Sequence, residues 1–205
     1  IPESTRGRVV VVTGANAGLG FSSARLLARA GARVVMGCRD SRKCAAAAAR
    51  IRGESPSMVV DTLVDLDLAS LASVNAFATA FKSKYSKLHG LLLNAGIMSP
   101  PYTMSADGIE LQFAVNHIGH FYLTQLLLPM ALQTAKMSKM SSVHITSVSS
   151  MMSFVAAALP TRFLNADNMS LKVLNDPEDY GKIKHYSQSK LANVLFAKEL
   201  NRRVA

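Results

Sequence analysis

Val9-Val10-Val11-Val12-Thr13-Gly14-Ala15-Asn16-Ala17-Gly18-Leu19-Gly20 is the stretch on which the reading of this chain turns. Four consecutive β-branched residues are the pattern of a strand buried on both faces. Three glycines follow, and then Phe21, Ala24, Leu27 and Ala28 recur at helical spacing. A glycine-rich turn between a buried strand and a helix is a phosphate cradle. Gly14 allows the tight bend, Gly18 lets backbone approach a pyrophosphate, and Gly20 lets helix and strand pack closely. The helix N-terminus supplies free N–H donors and a positive dipole end.

Outward from this turn the pattern repeats. Gly31 is placed to stop the first helix, and Ala32 to Met36 reads as a second strand. An alanine-rich helix over about Lys43 to Arg52 and a strand over about Met58 to Leu66 come next. Ser70 is a candidate N-cap for a helix bearing Leu71, Val74, Phe77, Ala78 and Phe81. Leu88 to Leu93 is a fourth strand. A long helix from Ile109 to Leu128 is expected to stop near Pro129. A fifth strand runs from Val143 to Ser147 or Val148, a loop-rich stretch spans Met151 to Asp179, and a last helix spans His185 to Arg203. Strands alternating with helices predict an α/β fold, a Rossmann-type doubly wound parallel sheet. The whole chain, residues 1–205, reads as a single dinucleotide-binding and catalytic domain.

Composition narrows the function classes. With 49% hydrophobic and 18% charged residues the chain is not a disordered tail. Cys38 and Cys44 are the only cysteines, too few for a disulfide-stapled module, and are expected as two reduced thiols. No apolar run approaches the ~20 residues of a membrane span. No signal peptide is evident, so the default location is cytoplasmic, with any membrane contact left to segments outside this chain. The formal net charge is +10, concentrated as +8 in residues 1–52 and +5 in residues 181–205. Nucleic acid, an acidic membrane, a phosphate-bearing cofactor or simply solvated helix faces would each account for it. The glycine turn favours the cofactor, so no nucleic-acid partner is expected.

The spacing Gly-x-x-x-Gly-x-Gly after a threonine resembles the short-chain dehydrogenase/reductase family. Further matches are Asp67-Leu68, Asn94-Ala95-Gly96, Asn116 within Val115-Asn116-His117-Ile118-Gly119-His120-Phe121, Val143-His144-Ile145-Thr146-Ser147, and Tyr186-Ser187-Gln188-Ser189-Lys190. The flanks Leu126-Leu127-Leu128-Pro129 and Leu191-Ala192-Asn193-Val194-Leu195 look most like the retinol dehydrogenase and WW-domain oxidoreductase branch. Leu93 stands where the family usually has Asn. The resemblance implies a fold with two further strands and a substrate-binding loop beyond Ala205. The sheet is therefore expected to be C-terminally incomplete, with the fifth strand as an edge.

Tyr186 and Lys190 are four positions apart, so both lie on one helical face. A phenol with a pKa near ~10 is a poor proton carrier at neutral pH, and bringing it to ~7 requires ~4 kcal/mol of phenolate stabilisation. A neighbouring ammonium is one source of it. By resemblance, Tyr186 is the general acid or base, and Lys190 also binds the nicotinamide ribose. Ser147 binds the substrate oxygen, with Ser150 as the competing register, and Asn116 anchors a water in a proton relay. Thr13, Gly14, Asn16, Gly18, Leu19, Gly20, Asp67, Leu68, Asn94, Ala95 and Gly96 complete the cofactor set, together with Tyr186 and Lys190. His117 and His120 lack a third metal ligand nearby and are expected to be structural, with no metal site.

Cys38 occupies the place where NAD-preferring relatives carry an aspartate, and Arg39 follows it, so NADP(H) is expected over NAD(H). The expected partner is a small-molecule carbonyl or alcohol, and a homo-oligomer is left open. Ser147 and Tyr186 stand 39 positions apart, a long interval for this branch, and it is apolar. Met151, Met152, Phe154, Val155, Leu159, Phe163, Leu164, Met169 and Leu171 either pack the loop onto the domain or form a lid over a retinoid-, steroid- or long-chain-like substrate. The alternative function is a catalytically silent NADPH-binding module for redox sensing or scaffolding.

Overall fold

The computed structural model describes residues 5–137, 142–156 and 174–204. Among the described residues, five parallel strands form one sheet in the order β3-β2-β1-β4-β5. They are β1 Val9–Thr13, β2 Arg33–Gly37, β3 Val59–Thr62, β4 Gly90–Leu93 and β5 His144–Ser147. The expected Rossmann-type sheet is present, with β3 and β5 at its edges. Register runs Val10 to Val34 and Val11 to Val35 between β1 and β2, and Val11 to Leu91 between β1 and β4. The helices between strands are α1 Gly18–Arg29, α2 Ser41–Glu54 and α3 Leu71–Lys84.

Alternation along the strands explains the layers. Val10, Val12, Val34, Met36 and Val60 share one core with Ala24 and Ala28 of α1 and Ala47, Ala48 and Ile51 of α2. Alanines keep those two helices close to the sheet. Val11, Val35, Leu91 and Leu93 face the other way and are fully buried, as are Val74, Phe77, Ala78 and Phe81 of α3. Each of those phenylalanines contributes about 1.5–3 kcal/mol by burial.

Two strands are shorter than expected. Past Thr62 the chain leaves the sheet, and only Leu66 returns, its N–H bonding the Cys38 carbonyl at 2.8 Å. At the start of β4, the Leu88 N–H is taken by the Thr134 hydroxyl at 3.0 Å rather than by a strand.

The long helix differs more. It opens as a short turn, α4 Leu111–Phe113, widens into a π-helical turn over Ala114–Ile118, and continues as α5 Gly119–Lys136. Pro129 lies inside α5 and does not end it. Proline costs an interior helix one hydrogen bond and a steric clash, ~3 kcal/mol. Here the residues on either side of it oppose that cost: Leu127, Ala131 and Thr134 are buried, and the Thr134 hydroxyl donates to the Met130 carbonyl at 2.8 Å. After β5 come a 3₁₀ turn, Met151–Phe154, and a last helix, α6 Lys182–Val204. α6 starts one turn earlier than expected because the His185 ring accepts the Gly181 N–H at 3.2 Å.

Cys38 and Cys44 are not separate thiols but a disulfide. Cys38 directly follows β2 and Cys44 lies in the first turn of α2, which brings their Cα atoms to 5.8 Å, within bridging distance.

The chain divides into two compact units. One comprises Ile1–Asp67, Ala72–Ala95 and Tyr122–Thr146; the other comprises Leu68–Leu71, Gly96–Phe121 and Ser147–Ala205. Among the described residues, no helix is long and apolar enough to cross a membrane.

Candidate active site

In the first unit, the glycine turn is built as the strand–turn–helix pattern requires. Gly14 has φ +63°, and a Cβ there would lie 2.9 Å from the Ala95 Cα. Gly20 touches the turn itself: its Cβ would meet the Gly14 carbonyl oxygen at 2.3 Å and the Asn94 amide nitrogen at 2.5 Å. Gly18, at φ +54°, has nothing within 4 Å of its missing Cβ. Thr13 clasps the end of β4. Its hydroxyl accepts the N–H groups of Asn94 and Ala95 at 2.9 and 3.0 Å, and Asn94 Nδ2 donates to the Thr13 carbonyl at 3.0 Å.

These residues fit an anionic cofactor. Ala17, the N-cap of α1, has no side-chain oxygen to occupy the first N–H groups, and the first turn holds no acidic residue. Leu19 is 76% exposed beside Gly18, and Asn16 is half-buried in the turn. Arg39 is exposed two residues past the end of β2. The carboxylate beside it is already engaged, since Asp40 caps α2 by accepting the Lys43 N–H at 3.0 Å. Asp67 lies half-buried after β3, its N–H bonded to the Ser73 hydroxyl at 3.0 Å.

The second unit gathers the candidate reactive groups. Asn116 is fully buried in the π-helical turn, the kind of irregularity often found at functional sites. Its Oδ1 accepts the Ile97 N–H at 2.8 Å, while its Nδ2 donates to the Ile97 carbonyl and to the Ser189 hydroxyl, both at 3.0 Å. The side chain is therefore committed to joining the 96–97 segment to α6. Gly96 makes the approach feasible, because a Cβ there would stand 3.1 Å from Asn116 Oδ1 and 3.4 Å from Lys190 Nζ. Leu68 presses on the same turn: the Cβ that Gly119 lacks would be 2.5 Å from its carbonyl oxygen.

Lys190 is buried and reaches past Tyr186, with Nζ 5.7 Å from the ring centre. Burial holds its pKa below the usual lysine value. Nζ donates to the Val148 carbonyl at 3.1 Å. Of the two competing serines, Ser150 caps the 3₁₀ turn, accepting the Met152 N–H at 3.2 Å. Ser147, at the end of β5, instead has a buried hydroxyl with no hydrogen-bond partner, a state shared among the described residues by Ser99 and Ser187. A buried hydroxyl left unpaired costs about 1–3 kcal/mol, which a substrate oxygen would relieve. The two serines thus differ in their engagement: the Ser150 hydroxyl is used in a turn, and the Ser147 hydroxyl is not.

His117 and His120 face polar partners. His117 Nδ1 lies 3.0 Å from Asn193 Oδ1, and His120 Nδ1 lies 3.1 Å from the Asn116 carbonyl. Burial drives the His120 pKa down to about 4, so its ring is neutral at pH 7.

Sequence reasoning missed the residues that hold this unit together. Glu110 is fully buried and caps α4, its carboxylate accepting the N–H groups of Gln112 and Phe113 at 2.9 and 2.8 Å. Gln112 accepts the Ser99 N–H at 2.8 Å and donates to Tyr180 Oη and the Lys182 carbonyl at 3.1 and 3.0 Å. Nothing in their spacing marks them. Asn193 was detectable, because it lies one helical turn after Lys190 on the same face.

A family model described as short chain dehydrogenase matches residues 8–161. Retinol dehydrogenase 14 of Mus musculus is 40% identical over 212 residues, covering 99% of this chain and 58% of that protein. A crystal structure of an uncharacterized protein from Mycobacterium Paratuberculosis is similar with a TM-score of 0.76 at 41% identity, covering 97% of this chain and 63% of that one. The structure of a metagenomic short-chain oxidoreductase in complex with NADP has a TM-score of 0.69 at 26% identity, covering 97% of this chain and 79% of that one. The chain thus spans less than two thirds of the length of the first two.

Proposed function

The chain belongs to the short chain dehydrogenase family, in its retinol dehydrogenase-like branch, and from that premise we propose that it is an NADP(H)-dependent oxidoreductase interconverting a lipophilic carbonyl compound and its alcohol. One observation carries the reading: a buried, unpartnered Ser147 hydroxyl in the same unit as Tyr186 and a buried Lys190. The glycine turn, with Thr13, Asn94 and Ala95 behind it, binds the cofactor pyrophosphate through the N–H groups that open α1. When bound, the cofactor supplies or accepts a hydride at the substrate carbon. Ser147 donates a hydrogen bond to the substrate oxygen. Tyr186 gives that oxygen its phenolic proton as the negative charge develops, and the Lys190 ammonium stabilises the phenolate left behind. A relay water falls to the Asn116 carbonyl, since the side chain is engaged; that carbonyl accepts from His120 and has a second lone pair.

The lipophilic assignment is supported by the residues after β5. Met151, Phe154 and Val155 are 83%, 88% and 68% exposed. Leu159, Phe163, Leu164, Met169 and Leu171 lie outside the described residues. With NADPH, long-chain or polycyclic carbonyls are expected to show a higher kcat/KM than short polar ketones. The reverse order would overturn this assignment. Cofactor binding with no turnover of any carbonyl would favour the silent module instead.

Cofactor choice is assigned to Arg39. It is exposed two residues past the end of β2, Cys38 brings no carboxylate there, and Asp40 is used as a helix cap. A guanidinium paired with a 2′-phosphate contributes ~1.5–3 kcal/mol, so Arg39→Leu is expected to weaken NADPH binding by roughly 10- to 100-fold and leave NADH nearly unchanged. Equal dissociation constants for the two cofactors in the unsubstituted protein would refute the preference.

A further inference from the structure

We propose that His117 and Asn193 are positioning residues for Lys190: they fix the Val148 carbonyl that receives the Lys190 ammonium, and they tie the π-helical turn to α6. The inference rests on the roles given above to Tyr186 and Lys190. The Val148 carbonyl accepts two hydrogen bonds, from Lys190 Nζ at 3.1 Å and from Asn193 Nδ2 at 3.2 Å. With its amide nitrogen so used, Asn193 presents Oδ1 to His117 Nδ1 at 3.0 Å. The opposite amide orientation would set two acceptor oxygens against each other. Nδ1 of His117 must therefore carry the proton. Burial keeps the His117 pKa below its ordinary value, so the ring is the neutral Nδ1–H form at pH 7. Every donor is now assigned, from His117 to Asn193, from Asn193 to Val148, and from Lys190 to the same carbonyl.

The placement gives this chain its consequence. Val148 directly follows Ser147, so one carbonyl ties the lysine to the strand end that bears the candidate substrate-binding serine. Asn116 bonds Ser189 and His117 bonds Asn193, so the π-helical turn grips α6 on both sides of Lys190. The Ser149 hydroxyl adds a bond to the Lys190 carbonyl at 2.7 Å. Phenolate stabilisation falls with distance from the ammonium. A lysine released from this frame would stabilise that phenolate less. The titratable groups facing Lys190 are Tyr186 from its own helix and His120 and His117 from the π-helical turn and α5. The residues meeting it from the end of β5 and from 96–97 carry none. His120 and His117 are neutral above pH 7, so neither contributes an alkaline limb.

His117→Phe separates this role from packing. The ring already sits among Phe113, Phe121 and Phe196 at centre distances of 5.2, 6.2 and 6.2 Å, contacts a phenyl keeps. His117→Asn instead keeps a donor, its Nδ2 replacing Nδ1–H. Two readouts apply to both variants and to Asn193→Leu: the pH profile of kcat/KM with NADPH and a long-chain aldehyde, and the rate of Lys190 acetylation by acetic anhydride followed by mass spectrometry. His117→Phe and Asn193→Leu are expected to move the alkaline limb up by about one pH unit and to speed Lys190 acetylation several-fold. His117→Asn is expected to restore both towards the unsubstituted protein. An unmoved limb with unchanged acetylation would overturn the proposal, even if activity or melting temperature fell. If the unsubstituted protein turned over no carbonyl, the catalytic reading would fail and acetylation alone would decide: faster in His117→Phe but not in His117→Asn sustains the pair, and equal rates refute it.

Discussion

Tyr186→Phe is expected to lower kcat by ~10²–10⁴-fold, the range that positioned acid–base groups contribute, while NADPH still binds. The substitution removes one oxygen and keeps the ring, which Lys190 Nζ approaches to 5.7 Å from its centre. Cofactor affinity is therefore expected to stay within about twofold, because a lost proton donor acts on the transition state rather than on ground-state binding. Lys190→Ala should behave differently. It removes the ammonium that stabilises the phenolate and the group assigned to the ribose, so kcat and cofactor affinity fall together. Steady-state kinetics with a fluorescence titration of NADPH check both variants. Retention of more than about a tenth of kcat by Tyr186→Phe would mean that another acid protonates the substrate.

The parts of this molecule that could be read from sequence are those encoded by short, regular patterns. The valine run before Gly14, the helical periodicity of α1 and α3, and the i,i+4 spacing of Tyr186 and Lys190 are local, and each became the element expected of it. Pro129 misled because its local cost is opposed by burial of Leu127, Ala131 and Thr134, and no window of sequence reports burial. The disulfide was missed for a related reason. Redox habit argued for free thiols, whereas the strand end and the following helix turn bring Cys38 and Cys44 together. Glu110 and Gln112 were illegible because their partners are backbone groups and a distant tyrosine, contacts that only the folded chain brings into range. Of the two candidate serines, pattern favours Ser147, because Val143 and Ile145 fill both apolar places before it. What pattern does not report is their engagement: the Ser150 hydroxyl caps a turn, and the Ser147 hydroxyl is buried without a partner.

The two glycines that open α1, one exposed and one buried, should fail in opposite ways when each receives a methyl group. In Gly20→Ala the new Cβ would stand 2.3 Å from the Gly14 carbonyl oxygen and 2.5 Å from Asn94 Nδ2, and the nearer atom is backbone that cannot rotate away. Relief requires α1 to move off β1 or the Thr13–Asn94 clasp to open. The cost should reach the upper part of the overpacking range, about 3 kcal/mol, or a loss of roughly 6–12 °C in Tm for a domain of this size. In Gly18→Ala the methyl meets nothing within 4 Å. The left-handed backbone, φ +54°, costs an alanine ~1–2 kcal/mol, partly offset by the lower entropy of its unfolded chain. The protein should therefore melt within a few degrees of the unsubstituted form. The space that methyl fills is the space assigned to the pyrophosphate, so NADPH affinity should fall at least tenfold, a loss of about 1.4 kcal/mol. Thermal melts without cofactor and NADPH titrations of both variants distinguish the two effects. A Gly18→Ala protein that bound NADPH normally would remove the turn from the cofactor site, and a Gly20→Ala protein with unchanged Tm would show that α1 and β1 are not packed as tightly as the backbone places them.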